Sequence, residues 1–475
     1  MHGRRLVRLL AAGLIAAAGC LPAIPPADHW PQPQDFLPAA ADPGPAGVVR
    51  EVPAGATFHR DVAPVLHARC VECHRPGQVA PFPLLTYPDA RRRARQIADV
   101  VGRRVMPPWK PVPGIGEFHD ARVLSEAEIA LLRRWADAGA PEGDPADAPA
   151  PPRFADGWRL GTPDLVLTMP KPFTVPPEGP DVHRNFVIPV ELPADRYVRA
   201  VEFRPGNPKV AHHAIVLLDT GGRARRLEDR HGGPGAGYPA TGGPGFLPSG
   251  GLPGWVPGEA PRPFPADAAV LLPRRVDVVL SMHYHPSGRP EPDQSSIALY
   301  FTDVPPRRTP GVLLMGVLNL RIAAGDRSHT TTTCYELPVD VEVTGIGPHM
   351  HLIGRDVWMW AEPPAGPAIP LIWIRDWDFN WQGTYRPAKP LRLPRGTRIW
   401  GQWTHDNSAA NPANPHVPPR EIRNGGNSTD EMAGAWIYVI LDRPEDSRRL
   451  WGETIRRLLR AAFTAPFRVE PPARR

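Results

Sequence analysis

The sequence predicts a mainly β protein: two consecutive β-sandwiches preceded by a small all-α domain. Three observations carry this. Pro (66) and Gly (44) are so frequent among the 475 residues that the chain cannot be mostly helix. From about residue 160, short β-type runs recur between Gly/Pro turns. Clear helical patterning is confined to residues 54–140. The apolar fraction of 42% is too high for wholesale disorder.

Taken in order, residues 1–19 read as a secretory signal. Arg4, Arg5 and Arg8 form its charged region, and the apolar stretch Leu9 to Gly19 is too short to span a membrane. It ends in Ala17-Ala18-Gly19-Cys20, which resembles a bacterial lipoprotein cleavage site, so lipidation of Cys20 and membrane anchoring are expected. The chain reads as an exported protein, periplasmic or a lipoprotein of the outer membrane or cell surface. Residues 20–53, rich in Pro, Ala and Asp, read as a tether. The formal charge is +6, three units of it from the leader arginines. No basic patch interleaved with aromatics points to nucleic acid.

The all-α domain spans 54–142. Helices are expected over Ala56 to Ala68, over Asp89 to Arg104, and over Ser125 to Ala140. The last opens with a Ser125-x-x-Glu128 capping box and carries Ile129, Leu132 and Trp135 at helical spacing. Residues 143–158 form a second linker. The two sandwiches occupy 159–305 and 306–445, with the Gly/Pro-rich stretch from Gly221 to Pro261 expected as a long surface loop. The tail, 446–475, holds an amphipathic helix from Ser447 to Phe463, expected to dock on the body.

The all-α domain carries Cys70-Val71-Glu72-Cys73-His74. Covalent haem attachment needs one thiol for each vinyl group, and C-x-x-C sets both on one turn with His74 next in line as axial ligand. A zinc site would need a second Cys pair, and Cys334 stands alone. The motif predicts a cytochrome c-like domain with one covalently bound haem c. Met106, in Val105-Met106-Pro107-Pro108-Trp109, is the expected sixth ligand, with His119 in reserve.

Histidines cluster in the β region: His212-His213, His283-Tyr284-His285 and His349-Met350-His351, with Met432 following Asp430-Glu431. H-x-H on a strand puts both imidazoles on one face. Adjacent histidines on a regular strand point oppositely, so His212 and His213 can share a metal only if the backbone is bent or bulged there. Imidazole with a thioether suits copper, because Cu(I) and sulfur are both soft.

These strings, in this order, resemble the copper type II, ascorbate-dependent monooxygenases, the family of the peptidylglycine hydroxylating and dopamine β enzymes. The resemblance covers most of residues 160–442. It implies a β-sandwich for each of two separate copper ions: one held by His212, His213 and His283, the other by His349, His351 and Met432. It implies that the second copper binds O2 and hydroxylates a substrate C–H bond, while the first stores and delivers an electron. His349, His351 and Met432 are therefore the expected catalytic set; His285 and His405 fall outside it. In the peptide-amidating members an Asn, a Tyr and an Arg near these motifs anchor the peptide carboxylate. Gly434, Trp436 and Gly347 stand at those positions here, which disfavours peptide amidation. Trp381, Trp403, Trp436 and Phe379 are candidates for an apolar pocket, although core packing is the commoner fate of such residues.

The expected activity is thus copper-dependent monooxygenation of a small-molecule or peptide-like substrate by O2, with electrons fed through the tethered haem from an ascorbate-like reductant or a redox protein. Two other readings use the same residues: a non-catalytic electron-transfer or copper-handling cytochrome, and an oxidative enzyme working at an open haem.

Overall fold

The computed structural model describes residues 30–37, 55–154, 157–239 and 243–463. The leader, Cys20 and most of the expected tether lie outside these residues. Among the described residues no helix is long and apolar enough to cross a membrane. The fold is mainly β, built from several sheets.

A run of short helices precedes the strands. A π-helical turn over Phe58–Val62 runs into α1 (Ala63–Arg69), followed by α2 (Tyr87–Arg92), α3 (Ala94–Gly102) and α4 (Glu126–Asp137). The Ser125–Glu128 capping box forms, with each partner bonding the other's backbone N–H. The single helix expected over Asp89 to Arg104 is instead two. Arg93, at φ −113° and ψ 6°, leaves the helical region. The bend lets Ala90 on one segment and Ile97 and Val101 on the next reach one core with Leu66, Leu132 and Trp135.

The first β unit comprises β1 (Leu165–Thr168), β2 (Phe173–Val175), β3 (Val182–Glu191), β4 (Arg196–Arg204), β5 (Ala211–Asp219), β6 (Tyr238–Pro239), β7 (Gly250–Trp255), β8 (Val270–Leu272), β9 (Arg275–Tyr284), β10 (Glu291–Asp293) and β11 (Ser296–Thr302). The second comprises β12 (Thr309–Gly316), β13 (Arg321–Ile322), β14 (His329–Glu336), β15 (Val341–His349), β16 (Gly354–Glu362), β17 (Ile369–Ile374), β18 (Leu391–Leu393), β19 (Arg398–His405), β20 (Ile422–Arg423) and β21 (Gly434–Leu441). In the first unit a sheet of order β6-β3-β9-β5-β7 and one of order β1-β11-β4-β8 share a core that includes Phe186, Val216, Leu280, Ile297 and Leu299. In the second, sheets β12-β21-β15-β18 and β14-β19-β16-β17 share a core that includes Leu313, Ile346, Met359, Trp403 and Ile437.

Several expectations are corrected here. Gly221 to Pro261 is not one long loop: it holds α5 (Arg223–Asp229), β6 and β7, and β7 pairs with β5 inside the main sheet. Glycine allows this close pairing, because a Cβ at Gly254 would meet the Ala214 carbonyl oxygen at 2.5 Å. β12 and β14, which the Gly/Pro punctuation does not reveal, are full strands. The second linker contains a 3-10 turn, Pro145–Asp147.

The expected tether is also partly structured. Residues 30–37 dock on the outer face of the sheet containing β16 and β19, where Trp358, Trp360, Trp373 and Trp400 are 5% exposed or less. Trp30 completes the cluster, 5.4 Å from Trp400 between ring centroids, and the Trp358 indole N–H donates to the Pro31 carbonyl. The tail helix α6 (Asp446–Phe463) docks as expected. Its Leu450 enters the second core, and Thr454 hydrogen-bonds the Tyr335 hydroxyl at 3.1 Å.

Candidate metal centres

His213 and His283 are cross-strand partners on β5 and β9. Both lie on the face turned away from the first core, since Val216, Leu280 and Met282 take the other parity. The pairing slips by one residue between Ala211 and His213, so His212 is the extra residue of a bulge. That slip turns both neighbours to one side. The Nδ1 atoms of His212, His213 and His283 stand 3.3, 3.3 and 3.4 Å apart. Nitrogens about 2.0–2.1 Å from one tetrahedral ion are about 3.3–3.4 Å apart, so the triangle has the dimensions of a ligand set. This is the group of His, Cys, Asp or Glu found among the described residues with ligand atoms converging for a metal. Burial, with help from the neighbouring imidazoles, pushes His212 down to about 4 and His213 well below its ordinary value. Both are neutral at pH 7, with lone pairs free to bind.

His349 ends β15 on the outward face of the second unit, opposite in parity to Ile346. Its Nδ1 is 2.5 Å from Gln382 Oε1, and His351 Nδ1 donates to the Asp430 carbonyl at 3.2 Å. Each imidazole is anchored at Nδ1 and keeps Nε2 as its free ligand atom. Burial pushes them down to about 3 and about 4. Glu431, fully buried, closes this site from behind. Oε1 accepts the backbone N–H groups of His351 (2.5 Å) and Met432 (2.7 Å), and Oε2 accepts that of Ile353 (3.2 Å). One carboxyl thus fastens the H-x-H turn to the methionine. His405 packs behind it, its Nε2 3.1 Å from the Met432 carbonyl oxygen.

The two clusters face each other across the gap between the units. The Phe379 ring stacks on His212 (5.3 Å, 22°) and meets His351 edge-on (5.7 Å, 75°). Of the four aromatic candidates, Phe379 and Trp436 stand at the clusters, Trp403 is core, and Trp381 touches neither in the described contacts. Trp436 lies 5.5 Å from His349. Its indole also covers Gly347, where an added Cβ would fall 2.0 Å from Nε1. The bare glycine and the large indole are therefore one complementary pair.

At the haem motif, Cys70 caps α1, and the N–H groups of Cys73 and His74 both bond to the Cys70 carbonyl (3.2 and 2.9 Å). The two thiols and the imidazole thus share one turn. His74 Nδ1 is 3.0 Å from the Phe82 carbonyl oxygen, which fixes the proton there and leaves Nε2 for an iron. The donor set and its orientation fit a c-type haem. Met106 follows α3 with its N–H on the Val100 carbonyl (3.2 Å), and no described contact joins it to His74. The reserve, His119, is exposed, with its backbone bonded to Arg386 on the second unit.

The stretch after Met106 packs against the second unit. Trp109 meets Tyr385 edge-on at 5.3 Å, Lys110 pairs with Asp376 at 3.2 Å, and Val112 bonds the Trp373 carbonyl. Arg122 and Asp120 bond Gly258 and Arg262 of the first unit.

Sequence reasoning singles out every histidine of the two clusters and names Phe379 as a pocket candidate, but misses Gln382, Asp181 and His183. Glu431 is legible only as part of the Asp-Glu-Met string, without its role.

No family model matches the chain, and no curated protein matches it. Among solved structures, the infectious bursal disease virus VP2 subviral particle aligns over 58% of this chain and 70% of its own, at 10% identity and a TM-score of 0.17. The infectious bursal disease virus Gx strain structure aligns over 65% and 85%, at 8% identity and 0.14. TM-scores this low carry no argument about function.

Proposed function

We propose that this chain is an exported, copper-dependent monooxygenase of the type II, ascorbate-dependent kind, built as a cytochrome c-like domain followed by two β-sandwiches. It would hydroxylate a substrate C–H bond with O2 and draw its electrons through the tethered haem. The observation that carries the reading is the Nδ1 triangle of His212, His213 and His283 facing the His349–His351 pair across one phenylalanine ring.

His212, His213 and His283 would hold one copper through Nδ1; His349 and His351, through Nε2, with Met432 would hold the other. The copper pair supplies one-electron storage at one centre and O2 chemistry at the other, and the haem supplies single electrons from outside. The protein's own contribution is positional. The β5 bulge brings adjacent histidines to one point, Gln382 and the Asp430 carbonyl fix the ring orientation of the second pair, and Glu431 holds Met432 beside it. Burial keeps His212, His213, His349 and His351 unprotonated near pH 7, so no proton must be displaced from them on loading. Beside His349, the Trp436 indole fills the space over Gly347, and among the described residues no contact brings a guanidinium to His349 or Trp436 to anchor a carboxylate. The site therefore favours a neutral substrate over a free peptide C-terminus.

The test is rapid mixing of the reduced, haem- and copper-loaded protein with O2, following haem and copper separately. Haem oxidation in step with turnover supports the relay. A haem that stays reduced while copper oxidises and product forms overturns it. Protein that takes up no copper overturns the whole reading.

A further inference from the structure

Asp181 lies just before β3, with its side chain 3% exposed, and is held by both β units. Its Oδ1 accepts from His285 Nδ1 at 2.7 Å. Its Oδ2 is 3.2 Å from His283 Nε2, and the same oxygen accepts the backbone N–H of Ser428, in the second unit, at 3.3 Å. The ring of His283 is fixed a second way. His183, its cross-strand partner on β3, stacks on it at 4.1 Å and 18°, opposite the side where His213 pairs.

A neutral imidazole has one N–H and one lone pair. For His283 to serve the triangle through Nδ1, its proton must sit on Nε2, and a carboxylate beside Nε2 places it there and makes Nδ1 a better donor. We infer that Asp181 is the positioning residue of the three-histidine centre: it sets the tautomer and orientation of His283 and is itself braced by the Ser428 N–H of the opposite unit. His285 shares the carboxylate but is 68% exposed and stands outside the triangle. It is therefore the internal control. The inference rests on the copper reading proposed above.

The experiment uses the full chain. Cu(I) is titrated anaerobically against a chromophoric Cu(I) chelator, and the Cu(II) form is examined by electron paramagnetic resonance. Wild type should bind two coppers, one of which His213→Ala removes. Asp181→Ala should weaken that same copper by about 10–100-fold, the usual cost of losing a partner behind a metal ligand, and should alter its nitrogen hyperfine pattern. Asp181→Asn, which keeps an oxygen beside His283 Nε2 but carries no charge, guards against a folding failure and should fall between the two. His285→Ala should bind within about twofold of wild type. Two coppers in wild type with unchanged affinity and spectrum in both Asp181 variants would overturn the positioning role and leave the copper reading intact. A wild-type chain in which His213→Ala removes no copper would overturn the copper reading itself.

Discussion

Replacing Glu431 by Ala should uncouple the second metal site from its own scaffold. The carboxyl accepts three backbone N–H groups, from His351, Met432 and Ile353, and is fully buried. Deleting it orphans all three. A buried donor left without a partner costs about 1–3 kcal/mol, which gives about 3–9 kcal/mol as the unrelaxed range. Water entering the space left by the side chain recovers part of this, so about 3–5 kcal/mol is the expected loss. Glu431→Gln keeps the oxygen that serves His351 and Met432 and loses the acceptor for Ile353, so about 1–2 kcal/mol is expected. Burial pushes this carboxyl up to about 8, so the neutral amide resembles the form present at pH 7. The assay is guanidinium unfolding of copper-free protein at pH 7, followed by tryptophan fluorescence and read in the transition of the second unit, with Cu(I) binding measured in parallel. The copper that His349→Ala removes should bind at least tenfold more weakly in Glu431→Ala. An alanine variant that loses less than about 1 kcal/mol and binds both coppers normally would refute the view that Glu431 fastens the H-x-H turn to Met432.

The buried histidines set an acid limit. His212 and His351 are held near 4 in the fold against an ordinary value of 6.5, so below pH 6.5 the unfolded chain takes up protons that the fold refuses. Stability is complete above 6.5 and falls toward pH 4, by about 3 kcal/mol for each of these two groups at about 1.36 kcal/mol per pH unit of difference; urea midpoints across pH 4–7 in copper-free protein measure it, and a flat profile contradicts the burial. Gly347→Ala places a methyl against the Trp436 indole, 2.0 Å from Nε1, and should cost about 1–3 kcal/mol by overpacking; Trp436→Ala in the same chain should restore most of it in the same unfolding assay, and additive losses would sink the pairing. Cys70→Ser and Cys73→Ser should each remove one thioether link while Cys334→Ser removes none, read from the pyridine haemochrome spectrum of protein expressed with haem-attachment machinery.

The sequence by itself determined the chemistry-bearing residues of this protein. Cysteine spacing marks the proposed haem turn, because two thioether bonds and an axial imidazole would have to lie within five residues. The H-H and H-x-H strings point to the proposed metal ligands, because residue type and strand parity are local properties. The capping box at Ser125 was equally legible, since each partner lies within one helical turn of the other. The two-core arrangement of the β region followed from the length available between turn signals. The docked tail was also within reach, because the stripe of Leu450, Trp451 and Ile455 had to cover something.

Only the tertiary structure decided how those residues meet. Nothing near His212 in the sequence announces the one-residue slip between β5 and β9 that turns it beside His213. Asp181 reaches His283 and Ser428, 102 and 247 positions away, through strand register and the contact between two units. The docking of residues 30–37 was hidden for the same reason: a Pro-rich segment reads as tether until a face of four tryptophans, gathered from β16, β17 and β19, is present to receive it. Gln382 reaches the His349 ring through one hydrogen bond, 33 positions away, and Glu431 reaches His351 and Ile353, 80 and 78 positions away. Such partners are chosen by packing, which no local pattern of residues encodes.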